Sequence, residues 1–437
     1  MTGVPLQKLT AMSTSPETTV HTTFLAPVFA ALACAQHARA CPSLPDAEWL
    51  ELCVMRALEQ EPSGRGFLQL LHDRNDRVLP SSTYFDSNAT PRRLKLLREV
   101  GQRVCNELDA RVRDPEVDQF ATVESLRDYD IYAGDGHYLA AATHDEPIDG
   151  TRRAVGHFFG LSLRTHSMFP MTVAERGDGR KREHDMRALK RLEIDALRRG
   201  APRGRKVIWV WDRAGIDATQ WQRWKQNNGI YFVSRAKDNM KLEPMGDLPY
   251  DAADPINRGV MGFSLVAVGN QALRCVRYCD PASGTQYVYL TSLTTIEPGV
   301  IAALYKARWD IEKVFDETKR KLGEEKSCGS SDETRAIQAE STSLTHNLMV
   351  LFERQLHDTH GLQPEDDAKR RQERCAEAEQ AARERGAKLS PLVRRLLLKA
   401  TQRGLRFIRW LRHMIARNAS LALALPKLRA VWRLYGG

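Results

Sequence analysis

The sequence contains no hydrophobic stretch long enough to cross a bilayer, and its cysteines form no metal-binding or redox pattern. The apolar run FLAPVFAALACAQHARA, which starts at Phe24, is too short to span a membrane and ends with His37 and Arg39. We therefore expect neither a transmembrane helix nor a signal peptide. The eight cysteines stand singly or at loose spacings, and Cys275 and Cys279 lack the C-x-x-C spacing of a zinc knuckle or redox pair. This usage favours reduced thiols in a cytoplasmic protein.

Acidic residues are absent from the last part of the chain. Every charged residue after Glu384 is lysine or arginine, through to Arg433, and the whole chain has a formal net charge of +10. Such a basic balance favours a polyanionic partner, above all nucleic acid. Apolar residues are interleaved with arginines in RRLLLKATQRGLRFIRWLRHMIARN, so the same tail would suit a helix on an anionic membrane surface. A membrane-surface protein therefore stays open as an alternative.

Two kinds of periodicity divide the chain. Its 437 residues and 42% hydrophobic content are enough for two or three domains with substantial cores. Apolar residues at helical spacing predict a helical front module before about Tyr129, as in DAEWLELCVMRALEQ and RRLKLLREVGQRVCNEL. Three β-rich runs follow, and we expect them to form consecutive antiparallel strands: YDIYAGDGHYLAAAT, RAVGHFFGLSLRT and HSMFPMTVAE.

The segment after these runs alternates between helix and strand. The helix EHDMRALKRLEIDALRRG precedes the continuous apolar strand KVIWVWD, and the helix ATQWQRWKQN precedes the strand GIYFVSRAK. Three strands, helix, strand, helix, strand is the order of the first half of a ribonuclease-H-like α/β domain. We therefore predict a mixed sheet flanked by helices, with a β-rich insertion and helical regions at both ends. The predicted boundaries are 1–125 for the front module, 126–238 and 296–358 for the two parts of the core, 239–295 for the β-rich insertion, and 359–437 for a charged linker and basic helical tail.

Four polar residues share a stripe in the segment LYKARWDIEKVFDETKRKLG. We wind this segment as one helix at about 100° per residue, with Tyr305 at zero. Arg308, Glu312 and Lys319 then fall between about 300° and 340°, whereas the apolar residues gather between about 180° and 280°. A carboxylate at the border of the buried face is half sheltered, which sets Glu312 apart from a solubilising charge. The alternative is an ordinary exposed carboxylate paired with a neighbouring cation.

Two aspartates stand where predicted strands end. Asp135 follows the strand DIYAG directly, and Asp212 ends the strand VIWVW. Ligands of open α/β sheets gather beyond the carboxyl ends of parallel strands, so both positions suit a site. A turn or surface role is the competing interpretation for Asp135. The competitor of Asp212 is Asp217, which we predict to cap the helix that begins at Ala218.

Three carboxylates converge if the sheet brings Asp135 and Asp212 together and the Glu312 helix packs beside them. A site of oxygen ligands alone selects hard cations, Mg²⁺ or Mn²⁺, over zinc. Two such ions about 3.5–4 Å apart stabilise the attacking and leaving oxygens of an in-line phosphodiester displacement. The predicted chemistry is therefore phosphoryl transfer. Trp211 and Trp309 adjoin this site and could stack on an unpaired base, but core packing is the preferred interpretation of both.

These residues resemble the DDE transposases of bacterial insertion sequences, specifically the insertion sequence four group, whose mark is Y-(2)-R-(3)-E-(6)-K. The four residues that match this spacing at every step are Tyr305, Arg308, Glu312 and Lys319. The motifs DGH, WDRAGID and FVSRAK and the β insertion extend the resemblance over roughly residues 129–356.

The resemblance implies a mechanism. Asp135, Asp212 and Glu312 would hold two Mg²⁺ or Mn²⁺ ions, which activate water to nick DNA at a transposon end. The freed 3′ hydroxyl would then attack another phosphodiester, that of the opposite strand, which gives a hairpin in well-known relatives, and finally that of the target DNA. One departure is His137, since the family more often carries a small hydroxyl residue after the Asp-Gly pair.

The resemblance also implies partners. Tyr305, Arg308 and Lys319 would grip the phosphates that flank the cut, Arg308 as a fork for two oxygens and Lys319 as a point charge. The expected DNA is double-stranded and comprises the terminal inverted repeats and the target. Two copies of the protein would act together as a homodimer in a synaptic complex, in the bacterial cytoplasm at the nucleoid. The alternative is a non-catalytic DNA-binding or architectural protein descended from such an enzyme.

Overall fold

The computed structural model begins with a group of helices. Pro45 precedes the helix that begins at Asp46, and Thr90 is the N-cap of the helix that begins at Pro91. The structure describes residues 18–61, 63–75, 78–147, 150–152, 154–173, 185–226 and 228–433. The front helices are α1 (Val20–Ala33), α2 (Asp46–Leu58), α3 (Gly64–Asn75), α4 (Ser81–Ser87) and α5 (Pro91–Asp109).

All nine strands of the described residues form one mixed sheet. The strands are β1 (Tyr129–Leu139), β2 (Val155–Ser162), β3 (Met168–Val173), β4 (Lys206–Val210), β5 (Ile230–Arg235), β6 (Glu243–Asp247), β7 (Val260–Val268), β8 (Gln271–Cys279) and β9 (Gln286–Thr291). Their spatial order is β3-β2-β1-β4-β5-β9-β8-β7-β6. The pairs β1/β4 and β4/β5 are parallel and the others are antiparallel. The strands of the predicted insertion therefore extend the core sheet through the β5/β9 pair.

Helices flank this sheet, which confirms the predicted α/β class with helical terminal regions. The remaining helices are α6 (Asp185–Arg191), α7 (Ile194–Arg198), α8 (Ala218–Lys225), α9 (Pro298–Ala307), α10 (Trp309–Lys321), α11 (Asp332–His360), α12 (Glu365–Glu384), α13 (Pro391–Leu398), α14 (Leu405–Ala416) and α15 (Leu421–Arg433). Asp217 caps α8, as predicted, because its side chain accepts a hydrogen bond from the amide of Gln220.

The prediction of one continuous helix over residues 304–323 was wrong. Helix α9 ends at Ala307 and α10 begins at Trp309, with Arg308 between them. The amide of Arg308 is shared between the carbonyls of Leu304 and Tyr305, both at 3.2 Å. Such tightened hydrogen bonding marks a local 3₁₀-type turn. The sequence pattern hides the break because helical periodicity continues on both sides of a single residue.

Among the residues that the structure describes, the three largest of four clusters of buried side chains stabilise the sheet and the helices at both ends. One lies on the sheet face covered by α9 and α10, and a second on the opposite face, where Trp209 and Trp221 are buried. The third joins the front helices to α11, α14 and α15. Phe352 of α11 is central to it, with ring centroids 5.6 Å from Phe24 and 6.4 Å from Trp410. The division into modules stays a prediction, but the first and last helices share one core.

The structure also bears on membrane crossing and on the state of the cysteines. In the ranges that the structure describes, no helix is both long and apolar enough to pass through a bilayer. All eight cysteines are free thiols, and four of them are buried.

Candidate active site

Asp135 and Asp212 occupy equivalent positions on neighbouring parallel strands. In the β1/β4 pair Ala133 lies opposite Val210, and each aspartate follows two residues later. Side chains two residues apart share a face of a sheet, and both Ala133 and Val210 face the core beneath α9 and α10. The backbone therefore directs the two carboxylates to the same side at the same height. Parallel neighbouring strands are separated by only about 4.8 Å.

The prediction that Asp135 follows the strand was wrong, because Asp135 lies inside β1. Strand β1 continues to Leu139 because it pairs with β2 on its other side, where Asp135 lies opposite Phe159. Its parallel partner β4 ends at Val210, so Asp135 extends beyond the end of the parallel pairing. The side chain is thereby held by a continuous strand and is still 20% exposed.

A guanidinium links Asp135 to Glu312. Arg308 Nη1 donates to Asp135 Oδ2 at 3.3 Å, and Arg308 Nη2 donates to Glu312 Oε1 at 2.6 Å. Arg308 is only 4% exposed, and its Nε has no hydrogen-bond partner among the described residues. The structure therefore brings three of the predicted site residues into direct contact.

The charges of the three acidic residues act on one another. Burial raises the pKa of Asp135 to about 7, and the negative charges of Asp212 and Glu312 add to this rise against the opposing effect of Arg308. Burial disfavours the charged form of Arg308, but Glu312 and Asp135 raise its pKa above the ordinary value. The site therefore has an excess of negative charge that a cation stabilises.

Tyr305 and Lys319 differ in how they relate to this centre. Tyr305 is 8% exposed, and its ring lies 4.9 Å from that of Tyr289 and 5.6 Å from the Arg308 guanidinium. Burial raises the pKa of Tyr305, and the charge of Asp212 acts in the same direction. Lys319 is exposed on the same side of α10 as Glu312, about 10 Å further along the helix axis. Tyr305 thus supports the site from within, whereas Lys319 faces solvent beside it.

The two tryptophans near the site have opposite environments. Trp211 is 2% exposed and stacks on Trp209 with a centroid distance of 4.9 Å, so core packing was the right interpretation for it. Trp309 is 53% exposed, and the Arg308 guanidinium lies 5.4 Å from its ring. Core packing was the wrong interpretation for Trp309, which presents an aromatic face to solvent next to the carboxylates.

Sequence reasoning missed the buried polar contacts on the other side of α10. The side chain of Glu317 is fully buried. His346 Nδ1 lies 3.1 Å from Glu317 Oε1, and the amide of Arg403 donates to the other carboxylate oxygen. Asp310, which is also buried, contacts His166 Nε2 at 3.2 Å. These contacts join α10 to α11 and to the chain before α14, so they fix the helix that carries Glu312.

The donor set of the site fits divalent cations. Asp135, Asp212 and Glu312 offer oxygen atoms alone, which are the ligands that hard cations prefer. The guanidinium of Arg308 already supplies one positive charge between two of these carboxylates. Because Glu312 is 35% exposed, an ion can reach the carboxylates from solvent.

Part of the chain matches a known protein family. Residues 161–348 match the family model described as Transposase DDE domain. The matched region covers less than half of the chain and contains Asp212 and Glu312, whereas Asp135 precedes it on β1. The match supports a DDE transposase that binds DNA and acts in transposition, and the mixed sheet is the ribonuclease-H-like sheet expected of a transposase DDE domain. No curated protein matches the chain.

Proposed function

We propose that this protein catalyses cut-and-paste transposition of a bacterial insertion sequence, with Asp135, Asp212 and Glu312 as the catalytic residues. One observation carries the proposal. Arg308 bonds to Asp135 and Glu312 together, while strand register sets Asp212 beside Asp135. The negative charges of Asp212 and Glu312 also raise the pKa of Asp135, so the three carboxylates act on one another electrostatically. The spacing of the signature around Glu312 supports the insertion sequence four group.

The chemistry is metal-dependent cleavage of transposon ends followed by strand transfer. Two Mg²⁺ or Mn²⁺ ions bound by the carboxylates would stabilise the attacking and leaving oxygens of the phosphodiester. The products of the first cut are a 5′ phosphate and a 3′ hydroxyl. That hydroxyl then attacks a second phosphodiester, in the opposite strand or in target DNA.

The cationic residues of the signature position the DNA strand. Arg308 carries a planar fork of a kind that suits two phosphate oxygens, and it would have to release Asp135 or Glu312 to contact the DNA. Lys319 supplies a point charge about two helical turns from Glu312. Tyr305 lies beneath Arg308 and limits the directions in which the guanidinium can turn. Such contacts fix the position of the cut and carry no sequence information.

The DNA partners in this proposal are the terminal inverted repeats of the element and the target duplex. Both ends must be cut and joined, so two copies of the protein are expected in one synaptic complex. The alternative is a DNA-binding protein that descends from a transposase and has no catalytic activity.

Replacement of Glu312 by Gln tests the proposal. We expect Glu312→Gln to reduce nicking of end DNA in Mg²⁺ by more than about 100-fold, since loss of a direct ligand exceeds the 10–100-fold typical of outer-sphere groups. Binding of the same DNA in Ca²⁺ should change little. Nicking is measured on denaturing gels and binding by mobility shift.

The matched control is Asp316→Asn, which changes another carboxylate of α10 that pairs with Arg320 on the surface. This variant should cut like the wild type. Full cleavage by Glu312→Gln would rule out our assignment of the catalytic carboxylates. DNA binding by the wild type without any cleavage would favour the non-catalytic alternative.

A further inference from the structure

A second cationic surface lies away from the carboxylates, where α14 of the tail meets the front helices. A cavity of about 400 Å³ opens there. We call it the basic groove, and its cationic lining consists of Arg74, Arg409, Arg412, His413 and Arg417. The single acidic residue of the lining is Glu59, and it is already paired with Arg74 at 2.5 Å. The groove therefore carries a net positive charge.

Helix α14 presents this charge as a regular stripe. Arg409, His413 and Arg417 are exposed and fall within about 80° of the helical wheel. The apolar side of α14 is buried in the core, namely Phe407, Ile408, Trp410, Leu411, Met414 and Ile415. No apolar face of α14 is left to insert into a bilayer, so its cationic face is suited to a polyanion that stays outside the protein.

Two positive charges of the groove have no acidic partner nearby in the described part of the chain. Among the described residues, neither Arg409 nor Arg417 has a carboxylate within ion-pair distance. Burial lowers the pKa of His413, and the charges of Arg417 and Lys427 lower it further.

The basic groove is structurally connected to the candidate active site. Arg412 donates to the carbonyls of Leu58 and Lys321, so it ties α2 to the last residue of α10. Along α10, Lys321 lies nine residues after Glu312, which corresponds to about 14 Å. Duplex DNA rises 3.4 Å per base pair, so this separation equals about four base pairs. Lys319 is exposed between the two regions.

We propose that the basic groove binds the phosphate backbone of duplex DNA, as a site separate from the carboxylate centre. From Arg409 to Arg417 the stripe is about 12 Å long, enough for several phosphates of one strand. The contacts are made by guanidinium groups to phosphate oxygens, which position DNA without reading its sequence. This inference depends on the proposed function, because it places the groove along the duplex that continues from the cut.

The test removes two charges of the groove in the full-length protein. The probe is a fluorescent duplex of mixed sequence, titrated in EDTA at salt concentrations between about 50 and 300 mM. For Arg409→Ala combined with Arg417→Ala, we expect the slope of log K against log salt to fall by about 1.8, as two lost phosphate contacts predict. At 0.1 M salt this corresponds to about 60-fold weaker binding.

Two further variants keep the test decisive. Arg203→Ala combined with Arg223→Ala removes the same charge from exposed positions outside the groove, before β4 and in α8, and should keep the wild-type slope. Arg409→Lys combined with Arg417→Lys keeps the charge and should also keep most of the slope. Restoration by lysine would show that charge, rather than a change in fold, is responsible.

The outcomes separate this inference from the proposed function. The inference that the basic groove binds DNA is overturned if the groove variant keeps the wild-type slope, or if the Arg203 and Arg223 control loses as much slope. Neither result affects the Glu312 test. Binding of the wild type to phosphatidylglycerol vesicles in preference to the duplex would also overturn the inference. Absence of any duplex binding by the wild type would overturn both proposals.

Discussion

At the scale of single residues, Arg308 determines the charge of the candidate active site. Its guanidinium bonds to Asp135 and Glu312, so one internal cation offsets part of the negative charge of two carboxylates. A divalent cation that binds the same oxygens has to displace this cation. The protein without DNA should therefore hold metal ions more weakly than its three carboxylates would suggest.

Removal of Arg308 should strengthen metal binding in the absence of DNA. We expect Arg308→Ala to bind Mn²⁺ about tenfold more tightly than the wild type, a difference of about 1.4 kcal/mol. The measurement is titration calorimetry or the loss of the free Mn²⁺ signal in electron paramagnetic resonance. Arg320→Ala, which removes a surface arginine of the same helix, should leave the affinity unchanged. Equal or weaker Mn²⁺ binding by Arg308→Ala would contradict the competition.

The sequence predicted the surroundings of some site residues and not of others. The helical wheel set Glu312 beside a cation, and the structure joins it to Arg308. The same wheel sets Trp309 near 40°, outside the apolar arc, so its exposure could have been inferred from the pattern. The continuation of β1 past Asp135 could not be inferred from the sequence. The sequence does not show that β2 keeps pairing with β1 after the pairing with β4 has ended.

At the scale of an element, α10 has two polar borders with different environments. Glu312 lies on one border and is one-third exposed, whereas Glu317 lies on the other and is fully buried. Both positions flank the same apolar arc of the wheel. Periodicity therefore predicts the helix and its buried side, but it does not show that α11 and the segment at Arg403 cover the second border.

Glu317 should contribute stability that depends on pH. Although burial opposes it, the charges of Arg403 and His346 lower the pKa of Glu317 from its ordinary 4.5 to about 2. A depressed folded-state pKa contributes stability above the unfolded value, and this contribution is lost as pH falls from about 4.5 toward 2. We expect Glu317→Gln to lower the free energy of unfolding by about 3 kcal/mol at pH 7.

The difference between wild type and Glu317→Gln should shrink as the pH is lowered below about 4.5, when measured by urea denaturation. Glu325→Gln, at an exposed position outside α10, serves as the control and should cost little at any pH. A constant difference down to pH 2 would indicate that the ion pair is not its source.

At the scale of the whole molecule, the tail is part of the structural core. Phe407 of α14 is 1% exposed and packs within 6.4 Å of Phe352, which in turn contacts Phe24 of α1. The sequence indicated helices at both ends and a basic tail. It did not indicate that the ends meet, because those contacts join residues that are almost the full length of the chain apart.

A cavity in the tail should therefore loosen the front of the protein. We expect Phe407→Ala to destabilise the fold by about 3–5 kcal/mol and to increase amide hydrogen exchange in α1. The measurement is hydrogen-exchange mass spectrometry, read at the peptides of Val20–Ala33. Leu423→Ala in α15, where the side chain is 68% exposed, should leave that exchange unaltered. Unchanged protection of α1 in Phe407→Ala would argue for independent ends.

The backbone hydrogen bonds between the two ends can form only late in synthesis of the chain. Val20 N donates to the carbonyl of Ala419 at 3.0 Å, and Leu421 N donates to that of Thr18 at 2.9 Å. A ribosome adds about 5–20 residues per second, so the first helix waits about 20–80 s for these partners to be synthesised. Nascent chains interrupted by an early stop codon would leave that helix without its partners, and only the finished polypeptide would be competent to act on DNA.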